Sequence, residues 1–241
     1  MIDFPPYESL QKIESQMIVS MMEKINQGFS DKSVPIPSRI ESINLLRSLR
    51  KYNFSYFLEL FGALKTKFLN NCLHYDENPR IQQVSLNFLR EVFDDDSYGV
   101  SNEMVYDLYY DILHFLQFNK NNVLQELAKA AIRTMAEKVV NEAKIIVLIE
   151  TLKSPDENLC GFIYECFRCA IDQLKGYINL NYNFNDIFDK LNLEEEESED
   201  YLIKVKNIFH ILKNSLDKND EKEIISSLKE DNLSLYQRLI S

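Results

Sequence analysis

One apolar pattern recurs along this chain at intervals of about 40 residues. In its clearest copy a polar turn leads into Leu124, and small or apolar side chains follow at Ala128, Ala131, Ile132 and Met135. These positions lie 4, 7, 8 and 11 residues after the first, so the five side chains form one stripe along a helix. The two alanines allow a neighbouring helix to approach closely.

The same pattern fits two other stretches, which begin at Ile81 and Leu159, and weaker copies begin at Ile36 and Tyr201. The intervals between successive starts, with Leu124 included, are 45, 43, 35 and 42 residues. A period near 40 residues with two helices in each repeat is typical of HEAT-type arrays. The sequence therefore predicts an all-α protein, specifically a HEAT-type α-solenoid of about six helix pairs.

We expect this array to form one domain over residues 1–241, most regular over 8–174 and looser over 175–241. The apolar periodicity predicts helices, with an irregular one near 184–191, over the following ranges: 8–26, 38–51 with Ser38 as N-cap, 54–74, 81–93, 102–118, 124–138, 142–153, 159–174, 201–216 and 221–239. Only 5 Gly and 6 Pro occur in the chain, which suits long helices joined by short loops.

The charge balance limits the classes of partner. Asp and Glu number 38 against 27 Lys and Arg, which gives a formal net charge of −11. Nucleic acids and anionic membranes are therefore not expected to bind. No apolar run reaches the ~18 residues that cross a bilayer, and the N-terminus lacks the features of a signal peptide. We expect a cytoplasmic protein.

No catalytic constellation is recognisable, so we expect a protein that is not an enzyme and needs no cofactor. Five glycines do not form a phosphate-binding loop, and no nucleophile elbow occurs. His114 lies in an aromatic helix and is predicted to be a core residue. The four cysteines have two interpretations, a metal site or small buried apolar residues, of which we favour the second: Cys72, Cys160, Cys166 and Cys169.

Four short turns recur between paired helices: the first loop (33–39), the second loop (74–80), the third loop (117–122) and the fourth loop (154–158). Stacked repeats would line them along one edge, and such edges bind partners in helical arrays. The candidate cations there are Arg39, Arg80 and Lys120. The alternative is that polar turns simply end the helices.

Two phrases carry a family resemblance: VLQELAKAAIRTM over 123–135 and SRIESINLLR over 38–47. With them the chain resembles a TOG domain, the tubulin-binding HEAT array of CLASP- and crescerin-type proteins. The resemblance implies a monomeric, flat array in the cytoskeleton, a cilium or a centrosome, which binds tubulin through its intra-repeat loops. The implied protein-binding residues are Ile36, Pro37 and Arg39, then Asn78 and Arg80, then Lys120 and Asn122, and finally Asn158.

A second hypothesis is a HEAT-repeat scaffold or adaptor that binds a protein other than tubulin. Two features favour it: the net charge of −11 and the lack of the Trp that the TOG family usually presents in its first loop. The chain also departs from the TOG family in the acidic run at 194–200, where a fifth loop would meet the acidic surface of tubulin. On this hypothesis the partner is a basic protein, since opposite charges attract across an interface.

Overall fold

The computed structural model describes residues 4–74, 78–94, 102–139, 143–152, 157–174, 199–215, 222, 225–226, 229 and 233–240. Throughout these residues the regular structure is helical, which confirms the all-α prediction. The helices are α1 (Ile18–Gly28), α2 (Ile36–Tyr52), α3 (Phe54–Leu69), α4 (Pro79–Asp94), α5 (Asn102–Phe118), α6 (Asn122–Lys138), α7 (Ala143–Thr151), α8 (Glu157–Leu174), α9 (Glu199–Ser215) and α10 (Leu233–Ile240). Within the described ranges, no helix is long and apolar enough to cross a membrane.

The helices belong to two compact units. The first unit comprises residues 1–104 and 111–132, and the second comprises 105–110 and 133–241. The expectation of one domain over 1–241 stays a prediction. The irregular helix expected near 184–191 lies outside the described residues, as does most of the acidic run at 194–200.

The first unit is built around aromatic side chains. In it α1 packs on α2, and α2 packs on both α3 and α4. Phe61 and Phe68 of α3 meet Phe88 of α4 edge-on, with ring centroids 5.4 and 5.5 Å apart. Phe29, which follows α1, meets Phe68 at 5.4 Å. Edge-to-face rings add to the free energy gained from apolar burial, so this cluster fixes the helices that carry the first two loops.

A π-helical turn, Asn70–His74, extends α3 toward the second loop. Its backbone carbonyl groups are satisfied from α4: the Gln82 side chain donates to Leu73 O at 2.9 Å, and the Ser85 hydroxyl donates to Cys72 O at 3.2 Å. The two polar side chains are buried because they make these bonds.

The second unit contains α7, α8, α9 and α10, packed in chain order. A buried lysine joins two of its segments. Lys144 Nζ donates to the backbone oxygens of Ala136 and Val139 at 2.8 and 2.6 Å, and to Gln173 Oε1 at 3.1 Å. Burial lowers the pKa of this amine to about 7. The amine therefore satisfies carbonyl groups at the end of α6 that have no partner within the helix.

Within each unit, hydrogen bonds repeatedly join residues one sequence period apart. In the first unit the Asn71 amide donates to Phe29 O, 42 residues away, and Arg47 binds Glu91, 44 residues away. In the second unit the Tyr106 hydroxyl donates to Glu150, 44 residues away. Neighbouring positions in space are therefore separated by the interval of the apolar pattern.

The predicted helix over 8–26 was wrong in its first half. Short 3₁₀ turns occupy Tyr7–Ser9 and Ser15–Met17, and α1 begins only at Ile18. Side chains of α2 bind the carbonyl groups of this segment, since Lys51 donates to Tyr7 O and Tyr52 donates to Leu10 O. These tertiary bonds replace helical ones.

The N-cap assigned to Ser38 was also wrong. The N-cap lies three residues earlier, at Pro35, and Ile36 and Pro37 are the first residues of α2. Proline is favoured in a first helical turn because the N–H groups of that turn have no acceptor within the helix. The N–H group that proline lacks therefore costs no helical hydrogen bond. Ser38 N instead donates to Pro35 O at 2.9 Å.

Candidate protein-binding site

The first loop holds its cation inward. Arg39 lies in the first turn of α2 and is only 3% exposed. Its Nη1 donates to Asn71 O at 2.6 Å, on the π-helical turn after α3. The side chain therefore ties the first loop to α3 and does not present its charge to a partner. Of the other candidates in this loop, Pro37 is exposed and Ile36 is half-buried.

The second loop ends in a helix cap. Asn78 Oδ1 accepts a hydrogen bond from Arg80 N at 3.0 Å, so Asn78 caps the start of α4. Arg80 itself is exposed, one residue into the helix. Residues 75–77 lie outside the described chain. Of the two residues predicted to bind a partner in this loop, Asn78 therefore has a structural role as a helix cap, and Arg80 is an exposed cation.

The third loop is held by asparagine side chains. Asn119 Oδ1 accepts from Asn121 N at 2.8 Å, and Asn121 Oδ1 accepts from Val123 N at 3.0 Å and from Leu124 N at 3.3 Å. The Gln125 side chain then donates to Asn119 O at 2.7 Å. These bonds fix the loop backbone, while Lys120 and Asn122 remain exposed.

Two apolar side chains flank this loop and were not among the predicted residues. Phe118, the last residue of α5, and Val123, the second residue of α6, are each 65% exposed. Phe118 lies off the buried stripe of α5, and Val123 immediately precedes the buried Leu124. Each of the two residues is apolar, lies outside the buried stripe of its helix and is close in sequence to the asparagines of the third loop. This combination was the sequence signal that could have identified Phe118 and Val123.

A chain of polar and ring contacts links the second loop to the third. His74 Nε2 lies 2.7 Å from Asp111 Oδ1, and the His74 and His114 rings are 5.7 Å apart. The His114 ring in turn lies 4.6 Å from the Phe118 ring. His114 is exposed, so its prediction as a core residue was wrong. With Arg39 bound to Asn71, these contacts bring the first three loops together in the first unit.

The remaining candidate, Asn158, belongs to the second unit and lies in the first turn of α8. Its side chain is outside the described residues. Seven of the eight predicted positions therefore belong to the first unit, and of these Lys120, Asn122, Arg80 and Pro37 are exposed.

The cysteines are reduced, and Cys72, Cys160 and Cys166 are buried. Burial raises the pKa of the Cys166 thiol and of the half-buried Cys169. Across the described ranges, no cluster of three His, Cys, Asp or Glu side chains has the arrangement of a metal site.

No model of a known protein family matches this sequence, and no curated protein is significantly similar to it. The interpretation of the loops therefore depends on the residues themselves.

Proposed function

We propose that this chain is a non-enzymatic protein-binding module, a TOG-like HEAT array that binds tubulin through the loop edge of its first unit. The observation that carries the proposal is the third loop, where Phe118 and Val123 are each 65% exposed on either side of Lys120. Large exposed apolar side chains at a fixed loop are the usual anchors of a protein interface.

The loop is suited to binding because its backbone is already ordered. Asn119 and Asn121 hold it through three hydrogen bonds of 2.8 to 3.3 Å. A partner therefore does not have to order the loop on binding, which lowers the entropic cost of association. Lys120 adds a positive charge that complements the acidic surface of tubulin.

Support for the HEAT-type arrangement comes from the contacts at one sequence period. Asn71 with Phe29, and Arg47 with Glu91, join equivalent positions of consecutive helix pairs in the first unit. In repeat arrays each repeat contacts its neighbours through equivalent surfaces. The bond between Tyr106 and Glu150 extends the same relation within the second unit.

The proposed contact set differs from the predicted one. Arg39 is buried and serves to hold the first loop, so the exposed cations of the edge are Arg80 and Lys120. Phe118 and Val123 supply the apolar contact surface in a chain that has no Trp. Pro37 and Asn122 complete the exposed edge.

The test is whether the protein forms a complex with αβ-tubulin. Gel filtration and light scattering detect the complex, at about 100 mM salt and at lower salt. We expect a complex that the double variant Phe118→Ala, Lys120→Glu abolishes. The matched control is Ile203→Ala, because Ile203 is an apolar residue of α9 that is 53% exposed in the second unit. Tubulin binding that the double variant leaves unchanged would refute the proposed edge.

The second candidate is a HEAT-repeat scaffold or adaptor for a basic protein other than tubulin. It is supported by the excess of 38 acidic over 27 basic residues and by the exposed Glu199 and Asp200 at the start of α9. Absence of a tubulin complex even at low salt would favour this candidate. A pull-down at low salt, with the captured protein released by raised salt, then identifies the partner.

A further inference from the structure

A groove of about 540 Å³ lies between α8 and α9 of the second unit. Its walls are two stripes with helical spacing. Helix α8 contributes positions four residues apart, and α9 contributes positions three and four apart. The polar side chains are Tyr164, Arg168 and Asp172 from the first helix and Asn207, His210, Asn214 and Ser215 from the second. The groove has the volume of a small-molecule site.

Arg168 is the residue of the groove that indicates an anionic ligand. It is exposed and makes no ion pair or hydrogen bond with any residue in the described part of the chain. Asp172 lies one turn further along α8, at the spacing that favours an ion pair, yet the two side chains do not form one. In a chain with 11 more acidic than basic residues, this guanidinium keeps its donors available.

The facing helix adds further donors. His210 and Asn214 are one turn apart on α9 and both are exposed. The Asn207 amide donates to the Tyr164 hydroxyl at 3.5 Å, and that hydroxyl lies 3.5 Å from Lys204 O. The Tyr164 hydroxyl is the donor in its contact with Lys204 O, and burial raises the pKa of this phenol. Guanidinium, imidazole and amide N–H groups therefore line both walls.

We propose that this groove, the α8–α9 groove, binds a small molecule carrying one carboxylate or phosphate group. Arg168 contacts two oxygens of the anion, because the guanidinium fork matches carboxylate and phosphate geometry. His210 and Asn214 donate to the anion from the opposite wall.

The experiment is a titration of the ¹⁵N-labelled protein with inorganic phosphate and, separately, with acetate, followed by NMR chemical shifts. We expect saturable shifts in α8 and α9 with at least one anion, and the comparison distinguishes phosphate from carboxylate recognition. Arg168→Gln is expected to weaken binding by about tenfold or more, since a charged hydrogen bond is lost. His210→Gln gives a second, smaller loss.

The matched control is Arg133→Gln, which removes the same charge from α6, where Arg133 is bound to Glu165 at 3.2 Å. This variant is expected to bind the anion like the unmodified protein. The proposal is overturned by either of two results: shifts at α8 and α9 that do not saturate with either anion, or equal affinity in Arg168→Gln. Neither result bears on tubulin, because the variants lie outside the loop edge.

Discussion

Arg47 on α2 and Glu91 on α4 form a two-point ion pair across 44 residues of sequence. Arg47 Nε donates to Glu91 Oε2 at 2.7 Å, and Nη2 donates to Oε1 at 2.6 Å. The guanidinium is fully buried, while the carboxylate is 23% exposed. The Arg47 guanidinium also donates to the Asn44 side chain and to Pro5 O, and it lies 3.5 Å from the centre of the Phe4 ring. One side chain thus joins two helices and the N-terminal segment.

Replacing Arg47 with Ala is expected to lower the free energy of unfolding by about 3 to 5 kcal/mol, because it breaks a buried ion pair. Urea denaturation followed by circular dichroism measures the change. The control is Lys24→Gln, which breaks the pair with Glu41 in which both side chains are 53% exposed. Exposed pairs contribute about 0 to 1 kcal/mol, so similar losses in the two variants would contradict this interpretation.

Replacing Gly28 with Ala is expected to destabilise the first unit by about 1 to 3 kcal/mol, because the added methyl group overpacks the contact between α1 and α2. A Cβ at residue 28 would lie 2.7 Å from Ser42 Cβ and nearer still to its hydroxyl. Adding Ser42→Gly to this variant should recover part of the loss, which a double-mutant cycle measures.

The chain offers a matched control for that substitution. Gly161 is an exposed residue inside α8, and a Cβ there meets no atom within 4 Å. Gly161→Ala is expected to stabilise the protein by about 0.5 to 1 kcal/mol, through helix propensity. If both substitutions changed stability in the same direction, close approach of α1 and α2 would not explain the glycine at position 28.

Lys144 is expected to make stability depend on pH. Its folded-state pKa of about 7 lies below the ordinary value of 10.5, so between these values the unfolded chain binds a proton that the folded protein lacks. The free energy of unfolding therefore rises with pH across this window, by about 1 kcal/mol per pH unit, and the contribution is constant below it.

The measurement compares urea midpoints of the unmodified protein and Lys144→Met between about pH 7 and pH 9. Other titrating groups are common to both proteins, so the difference between them isolates Lys144. It should grow in favour of the unmodified protein as pH rises. A difference that stays constant with pH would show that the folded-state pKa is not lowered.

Replacing Asn121 with Ala is expected to cost about 1 kcal/mol, because the N-cap of α6 loses its bonds to the backbone N–H groups of Val123 and Leu124. Thermal unfolding measures the loss. Asn122→Ala serves as the control, since Asn122 is exposed and lies inside the helix. The two variants should differ in melting temperature, and equal values would rule out the capping role.

Local sequence information was enough wherever a helix is bounded by its own residues. Helix α5 occupies the predicted range of 102–118, and the stripe of α6 from Leu124 to Met135 is buried at every predicted position. Apolar spacing and asparagine caps act within one or two turns, so they can be read from neighbouring residues. The candidate loops were located in the same way, as breaks between periodic segments.

The roles of individual side chains in those loops were not determined locally. Arg39 and Lys120 were both predicted to be binding cations of their loops, yet Arg39 is buried against Asn71 O while Lys120 is exposed. The difference arises because the π-helical turn after α3 offers a carbonyl group to Arg39. Likewise His114 is exposed beside His74, although its neighbours Leu113 and Phe115 are buried.

The sequence by itself determined that the chain is helical, where most of its helices begin and end, and which residues form its apolar stripes, because these depend on spacing over a few turns. Only the tertiary structure decided that residues 10–14 are not helical, that Arg47 is buried, and that Phe118 is exposed. The first two depend on partners about 40 residues away along the chain. Periodicity indicates which face of a helix is apolar, whereas the packing of the helices decides which side chains remain available to bind another molecule.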